Sequence, residues 1–157
     1  MLRRLGLSLG ACLAFARPVV ALDDPDQLIR SLYALAGGVD TPALADRYLS
    51  ADLSAPYKAQ LASDEVQPAT GFDWRFNAQD VEVTNIRFET RGPITVRGAT
   101  AADVEVVFEN FGEQKEITYS LCLGPRGWRI YDARNLDGEG DWSLRETLLG
   151  VEGEVNC

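Results

Sequence analysis

The sequence predicts an α+β fold, with N-terminal helices packed on a curved four-stranded antiparallel sheet and a short helix after the last strand. Three observations carry this. From Val104 to Asp132 the chain alternates apolar and polar residues with period two, through VEVVFENFG, EQKEITYSLCLG and PRGWRIYD. Phe111-Gly112-Glu113 and Gly124-Pro125-Arg126-Gly127 supply turn chemistry between those runs, so neighbouring strands are antiparallel hairpins. Helical signals cluster before the strands instead of alternating with them, which excludes a parallel α/β sheet.

In chain order, Met1-Leu2-Arg3-Arg4, the apolar run LGLSLGACLAFA and the small residues Val19 and Ala21 have the form of a secretory signal cleaved between Ala21 and Leu22. The run is too short to span a bilayer. A lipid-modified Cys12 is the alternative, disfavoured by the apolar residues that follow it. Residues 22–157 are then a single exported domain, periplasmic or secreted, with no integral membrane segment.

Asp24 with Pro25 opens a first helix carrying Leu28, Leu32 and Leu35 on one face, and Gly37-Gly38 ends it. Thr41-Pro42 starts a second, with Leu44, Tyr48 and Leu49. A third follows Ser50 with Leu53, Tyr57 and Leu61, and Pro56 is expected to kink or restart it. FDWRFNAQD, residues 72–80, precedes a strand at 81–89 that Gly92-Pro93 ends, and Ile94-Thr95-Val96 pairs briefly at most. After Asp132, the acidic loop RNLDGEGDW leads to Ser143-Leu144-Arg145-Glu146, whose capping-box spacing opens a helix closed by Gly150.

The chain has 157 residues with 15 basic and 24 acidic side chains, a net charge of −9, and no histidine. Loss of residues 1–21 would leave 12 bases against 24 acids, a charge of −12. Such a surface repels phosphate backbones, so nucleic acid is not an expected partner. The absence of histidine removes Ser/His and Cys/His catalysis and the commonest metal ligand. No cofactor and no metal is called for. The spacing Asn135, Asp137, Glu139, Asp141, Ser143, Glu146 is that of a calcium loop, but Asn stands first and a strand enters it, so an acidic turn that caps a helix is the preferred account. The two cysteines of the mature chain, Cys122 and Cys157, are expected to form a disulfide.

Asn77-Ala78-Gln79-Asp80 before the first strand and Gly127-Trp128-Arg129-Ile130-Tyr131-Asp132 on the last resemble an exported bacterial family known as domain of unknown function 3828, within the cystatin-like cone of the nuclear transport factor 2-like superfamily. The resemblance spans roughly residues 25–150 and implies a bent sheet and an envelope location; it implies no activity. Enzymes of that superfamily commonly use a His–Asp pair, which this chain lacks, although ketosteroid isomerases work with Asp and Tyr.

Function is expected to be binding, of a small molecule or an envelope component, on the concave side of the sheet. Trp74, Asn77, Gln79, Asp80, Tyr131 and Asp132 are the candidate ligand-binding residues, with no catalytic residue assigned. Two alternatives are an inhibitor or immunity-type partner of a basic envelope enzyme, steered by the acidic charge, and an Asp/Tyr isomerase or lyase.

Overall fold

The computed structural model describes residues 24–96, 98–135, 140–150 and Cys157. The cleavage site at Ala21 and Leu22, and Asp137 and Glu139 of the acidic loop, lie outside the described residues.

Three helices come first: α1 (Pro25–Tyr33), α2 (Pro42–Tyr48) and α3 (Ala51–Leu61). Asp24 caps α1 by accepting from the Asp26 N–H, and Thr41 caps α2 by accepting from Leu44; each helix has proline at its first position, where the missing N–H costs nothing. α1 closes at Tyr33, earlier than Gly37-Gly38 suggested. α3 runs through Pro56 as one helix, without the expected restart. Proline there removes one helical bond, while Leu53 and Tyr57 on either side of it are wholly buried and hold the helix down.

The sheet has five antiparallel strands in sequential order, one more than the pattern predicts: β1 (Val83–Val96), β2 (Ala99–Asn110), β3 (Glu113–Gly124), β4 (Gly127–Asn135) and the two-residue β5 (Trp142–Ser143). β5 is too short to leave a periodic signal. Gly92-Pro93 does not end β1; it sits in a register irregularity between Arg91 and Ile94, inside one long strand. The two-residue turn from β2 to β3 places Phe111 and Gly112 at φ 51° and 80°, matching the twist of a tight hairpin.

Side chains alternate across the sheet. Val104, Val106, Phe108, Ile117, Tyr119, Leu121 and Ile130 face the helices and form the core with Leu28, Leu32, Tyr48, Leu53 and Tyr57. α1 lies on β1, β2 and β4. Between α2 and α3 the chain runs beside β4, where Leu49 bridges Ile130 and Ser50 N–H donates to the Ile130 carbonyl at 2.8 Å. α4 (Leu144–Leu149) follows β5, with Ser143 accepting from the Glu146 N–H and Gly150 ending it in the left-handed region, φ 75°. Among the described residues no helix is long and apolar enough to cross a membrane.

Candidate functional site

The segment FDWRFNA folds back on itself. Asp73 and Ala78 form an antiparallel bridge, Asn77 takes a positive φ of 50°, and the loop drives Trp74 and Phe76 into the core. Arg75, between them, is 3% exposed. Its guanidinium meets the Asp73 carboxylate at 2.5 Å and donates to the carbonyls of Leu32 (3.1 Å), Leu35 (3.5 Å) and Gly37 (2.8 Å). These carbonyls lie in and just beyond the last turn of α1, where a helix leaves carbonyls unpaired and favours a positive charge. Burial works against the Arg75 charge, but the hydrogen bonds and field of Asp73 outweigh it and hold its pKa above the ordinary value.

Around this loop aromatic side chains pack on the core-facing side of the sheet. Trp74 is fully buried, tilted against Tyr119 with ring centroids 6.2 Å apart, and its indole N–H donates to the Tyr57 hydroxyl at 3.2 Å. Phe76 meets Tyr33 and Phe108 edge to face at 5.3 and 5.7 Å. The Tyr33 hydroxyl donates to the Arg75 carbonyl at 2.6 Å and lies 2.9 Å from the Tyr119 hydroxyl. Burial raises the pKa of Tyr33, Tyr57 and Tyr119, so all three are neutral phenols at any ordinary pH. The Trp74 ring is part of the core, not an exposed wall. The local sequence shows an aromatic cluster, and only the fold-back from Asp73 to Ala78 decides which way it points.

The other candidate residues are not brought to a common cavity. Asn77 accepts from the Trp142 indole N–H at 2.8 Å and so ties the loop to β5. Gln79 and Asp80 are exposed; Gln79 reaches the Gly71 carbonyl at 3.5 Å, and the Asp80 carbonyl accepts from the Asn110 amide at 3.3 Å. Tyr131 is half-buried at a bulge, because β4 slips one residue against β3 between the pairs Leu121–Ile130 and Ser120–Asp132. That slip turns Asp132 to the outer face of the sheet. There it accepts from the Ser143 hydroxyl (2.9 Å) and the Arg145 N–H (3.0 Å), at the start of α4. Burial raises its pKa, opposed by those bonds and by Arg134.

Asp132 belongs to a polar chain across the outer face. Arg134 lies 3.7 Å from it and donates to the Ser120 hydroxyl at 3.0 Å; Ser120 donates to Asp103 at 2.7 Å. At the next edge, Arg145 pairs with Asp52 of α3 at 2.7 Å and fixes α4 to the helical layer. Beyond Asp103 the outer face is acidic: Glu89, Glu105, Glu109 and Glu116 are exposed or half-buried, with Arg91 bridging Glu105 (2.7 Å) and Glu89 (3.5 Å). A hollow of about 380 Å³ opens there, lined by Arg87, Phe88, Glu89, Glu105 and Val107. Sequence reasoning did not single these residues out. The alternation of Glu105, Val107 and Glu109 opposite Val104, Val106 and Phe108 was the available signal.

Cys122 and Cys157 are joined, with Cα atoms 6.2 Å apart, within the ordinary disulfide range. Cys122 lies on the outer face and is wholly buried. Gly124, two residues on, leaves room for this: a Cβ there would come within 2.5 Å of the Cys157 carbonyl oxygen. Among the described residues no three Cys, Asp or Glu groups converge as a metal site. Asn135, first in the calcium-like spacing, is wholly buried at the end of β4, and Ser143 and Glu146 act as the helix cap.

Comparison with known proteins finds no family model, no curated protein and no solved structure that matches this chain.

Proposed function

We propose that this is an exported, non-catalytic binding module that works through the outer face of its sheet and engages a protein partner with a basic surface. One observation carries the proposal. The side of the sheet that faces the helices carries the buried rings of Trp74, Phe76, Tyr119 and Phe108, while the opposite side carries Glu89, Glu105, Glu109 and Glu116, with Arg91 pairing to the first two. The outer hollow, with Glu89, Glu105 and Val107 in its lining beside Arg87, suits a lysine or arginine side chain with its aliphatic stem. The chain's net charge of −9 adds long-range attraction for such a partner. Helices laid on an antiparallel sheet support the cone-like reading of the fold, and the N-terminal sequence supports export.

The test uses the full protein as bait for envelope proteins at low and high salt. A basic protein retained at low salt, released as salt screens the contact, and not retained by the Glu89→Lys/Glu116→Lys variant is the expected result. Retention unchanged in that variant places the contact elsewhere.

A further inference from the structure

β1 is the first strand of the sheet, and among the described residues no strand pairs with its other edge. From Thr84 to Thr95 every residue but Phe88 is exposed. The strand breaks register with β2 between Thr84 and Arg87 and again between Arg91 and Ile94, where Pro93 also lacks an N–H. Irregularities of this kind blunt an edge. Between them Arg87–Arg91 is left regular, paired residue for residue with β2.

The register fixes which way the backbone of this run points. Asn110 and Glu113 flank the two-residue β2–β3 turn, so their N–H and C=O groups face each other. Alternation then directs the backbone groups of Val107, Glu105 and Asp103 toward β1. The Phe111 N–H follows the same rule and donates to the Glu82 carbonyl at 3.1 Å. Arg87, Glu89 and Arg91, opposite those three residues, spend their own backbone groups on β2. Phe88 and Thr90 alternate with them, so their N–H and C=O groups point to the open edge. An open ladder accepts an added strand.

The side chains select its sequence. Arg87 and Glu89 line the outer hollow of about 380 Å³ with Glu105 and Val107, and Arg91 follows them on the same face. Arg91 answers Glu105 at 2.7 Å but Glu89 only at 3.5 Å, so Glu89 keeps acceptor capacity for a second cation. A lysine or arginine opposite Glu89 reaches it from the edge; moved by two residues, the same cation meets Arg87 or Arg91. A second copy of this chain fits less well. Antiparallel self-pairing over the whole run sets Glu89 against Glu89 and Arg87 against Arg91, and registers that avoid this lose part of the regular run to the irregularities at its ends.

We propose that an extended segment of the basic partner adds to the β1 edge as an antiparallel strand, bonding to Phe88 and Thr90 and setting a lysine or arginine opposite Glu89. This rests on the reading of the outer face as the contact surface, and names the part of the partner that makes the contact.

The probe is a blocked heptapeptide of alternating threonine and valine with lysine at its centre, titrated into the nitrogen-labelled, disulfide-bonded protein and followed by NMR. The expected result is saturable shifts of the Phe88 and Thr90 amides, with affinity about threefold or more weaker when glutamate replaces the lysine. Thr90→Pro removes an N–H that β2 does not use, so it should stay folded by circular dichroism and lose the binding. Glu89→Lys, which leaves the backbone intact, should reverse the preference between the two peptides. No shift at Phe88 and Thr90 with either peptide, or equal affinity for both, overturns strand addition. A dimer in sedimentation that Thr90→Pro disperses gives the edge to a second copy and overturns it too. If strand addition fails while Glu89→Lys/Glu116→Lys still loses a salt-sensitive envelope protein, the outer-face reading stands alone. Lysine-peptide binding at the edge with no such protein retained is the opposite result.

Discussion

Arg75 and Arg129 are the same side chain in opposite circumstances. Arg75, in the interior, has the Asp73 carboxylate and the carbonyls of Leu32, Leu35 and Gly37 around its guanidinium. Arg129, at the β3–β4 corner, has one carbonyl, a buried Nε without a partner, and two arginines as electrostatic neighbours. The first arrangement is complete, and it locks a loop that fills the inner side of the sheet. The second is incomplete among the described residues. That difference teaches where to look for function: in regions whose polar groups are left unanswered, here on the surface, rather than under the aromatic loop.

Several substitutions break or sharpen this contrast. Trp74→Ala should be the most damaging, about 3–5 kcal/mol by urea unfolding, because a fully buried indole leaves a cavity the surrounding rings cannot collapse into. Arg75→Met should follow closely, about 3 kcal/mol, since it strands Asp73 and the carbonyls at the end of α1. Cys157→Ala should cost about 2–4 kcal/mol, the range for opening a loop of 35 residues, and free-thiol titration of the denatured protein lacking residues 1–21 should find no reactive thiol.

Smaller effects separate the two arginines and the acidic cap. Asp132 has a folded pKa raised by burial, so its contribution to stability is fully present below its unfolded pKa and is lost as pH rises through the higher folded value. Asp132→Asn keeps a carbonyl to accept from Ser143 and the Arg145 N–H but removes the ionisation. Its stability relative to wild type should therefore rise between acidic and neutral pH in paired unfolding curves, and a difference independent of pH would show that Asp132 does not titrate in this way. Arg129→Met should change stability by no more than about 0.5 kcal/mol, or raise it, because it relieves repulsion and keeps the aliphatic stem. A loss matching that of Arg75→Met would erase the contrast between the two sites.

Much of the architecture was legible in the sequence because it rests on local chemistry. Phe111-Gly112, the Ser143–Glu146 cap, Gly150 and the Asp24 and Thr41 caps are short-range devices that fix turns and helix ends wherever the chain goes. The candidate site was not legible, for two physical reasons. The fold-back from Asp73 to Ala78 decides the direction of Trp74, and nothing in an aromatic run specifies it. The bulge at Tyr131 turns Asp132 away from the helices, and strict alternation places it on the wrong face. A trace of that slip was present, since the core positions on β4 step from Ile130 to Ala133, three residues instead of two.

The central claim, a filled interior with binding left to the surface, is tested most directly by native mass spectrometry of the protein purified from its own compartment. The account predicts a chain with an intact disulfide and no apolar molecule retained. An apolar molecule retained one to one, and still held by Glu89→Lys/Glu116→Lys, would place a ligand inside the sheet and contradict it.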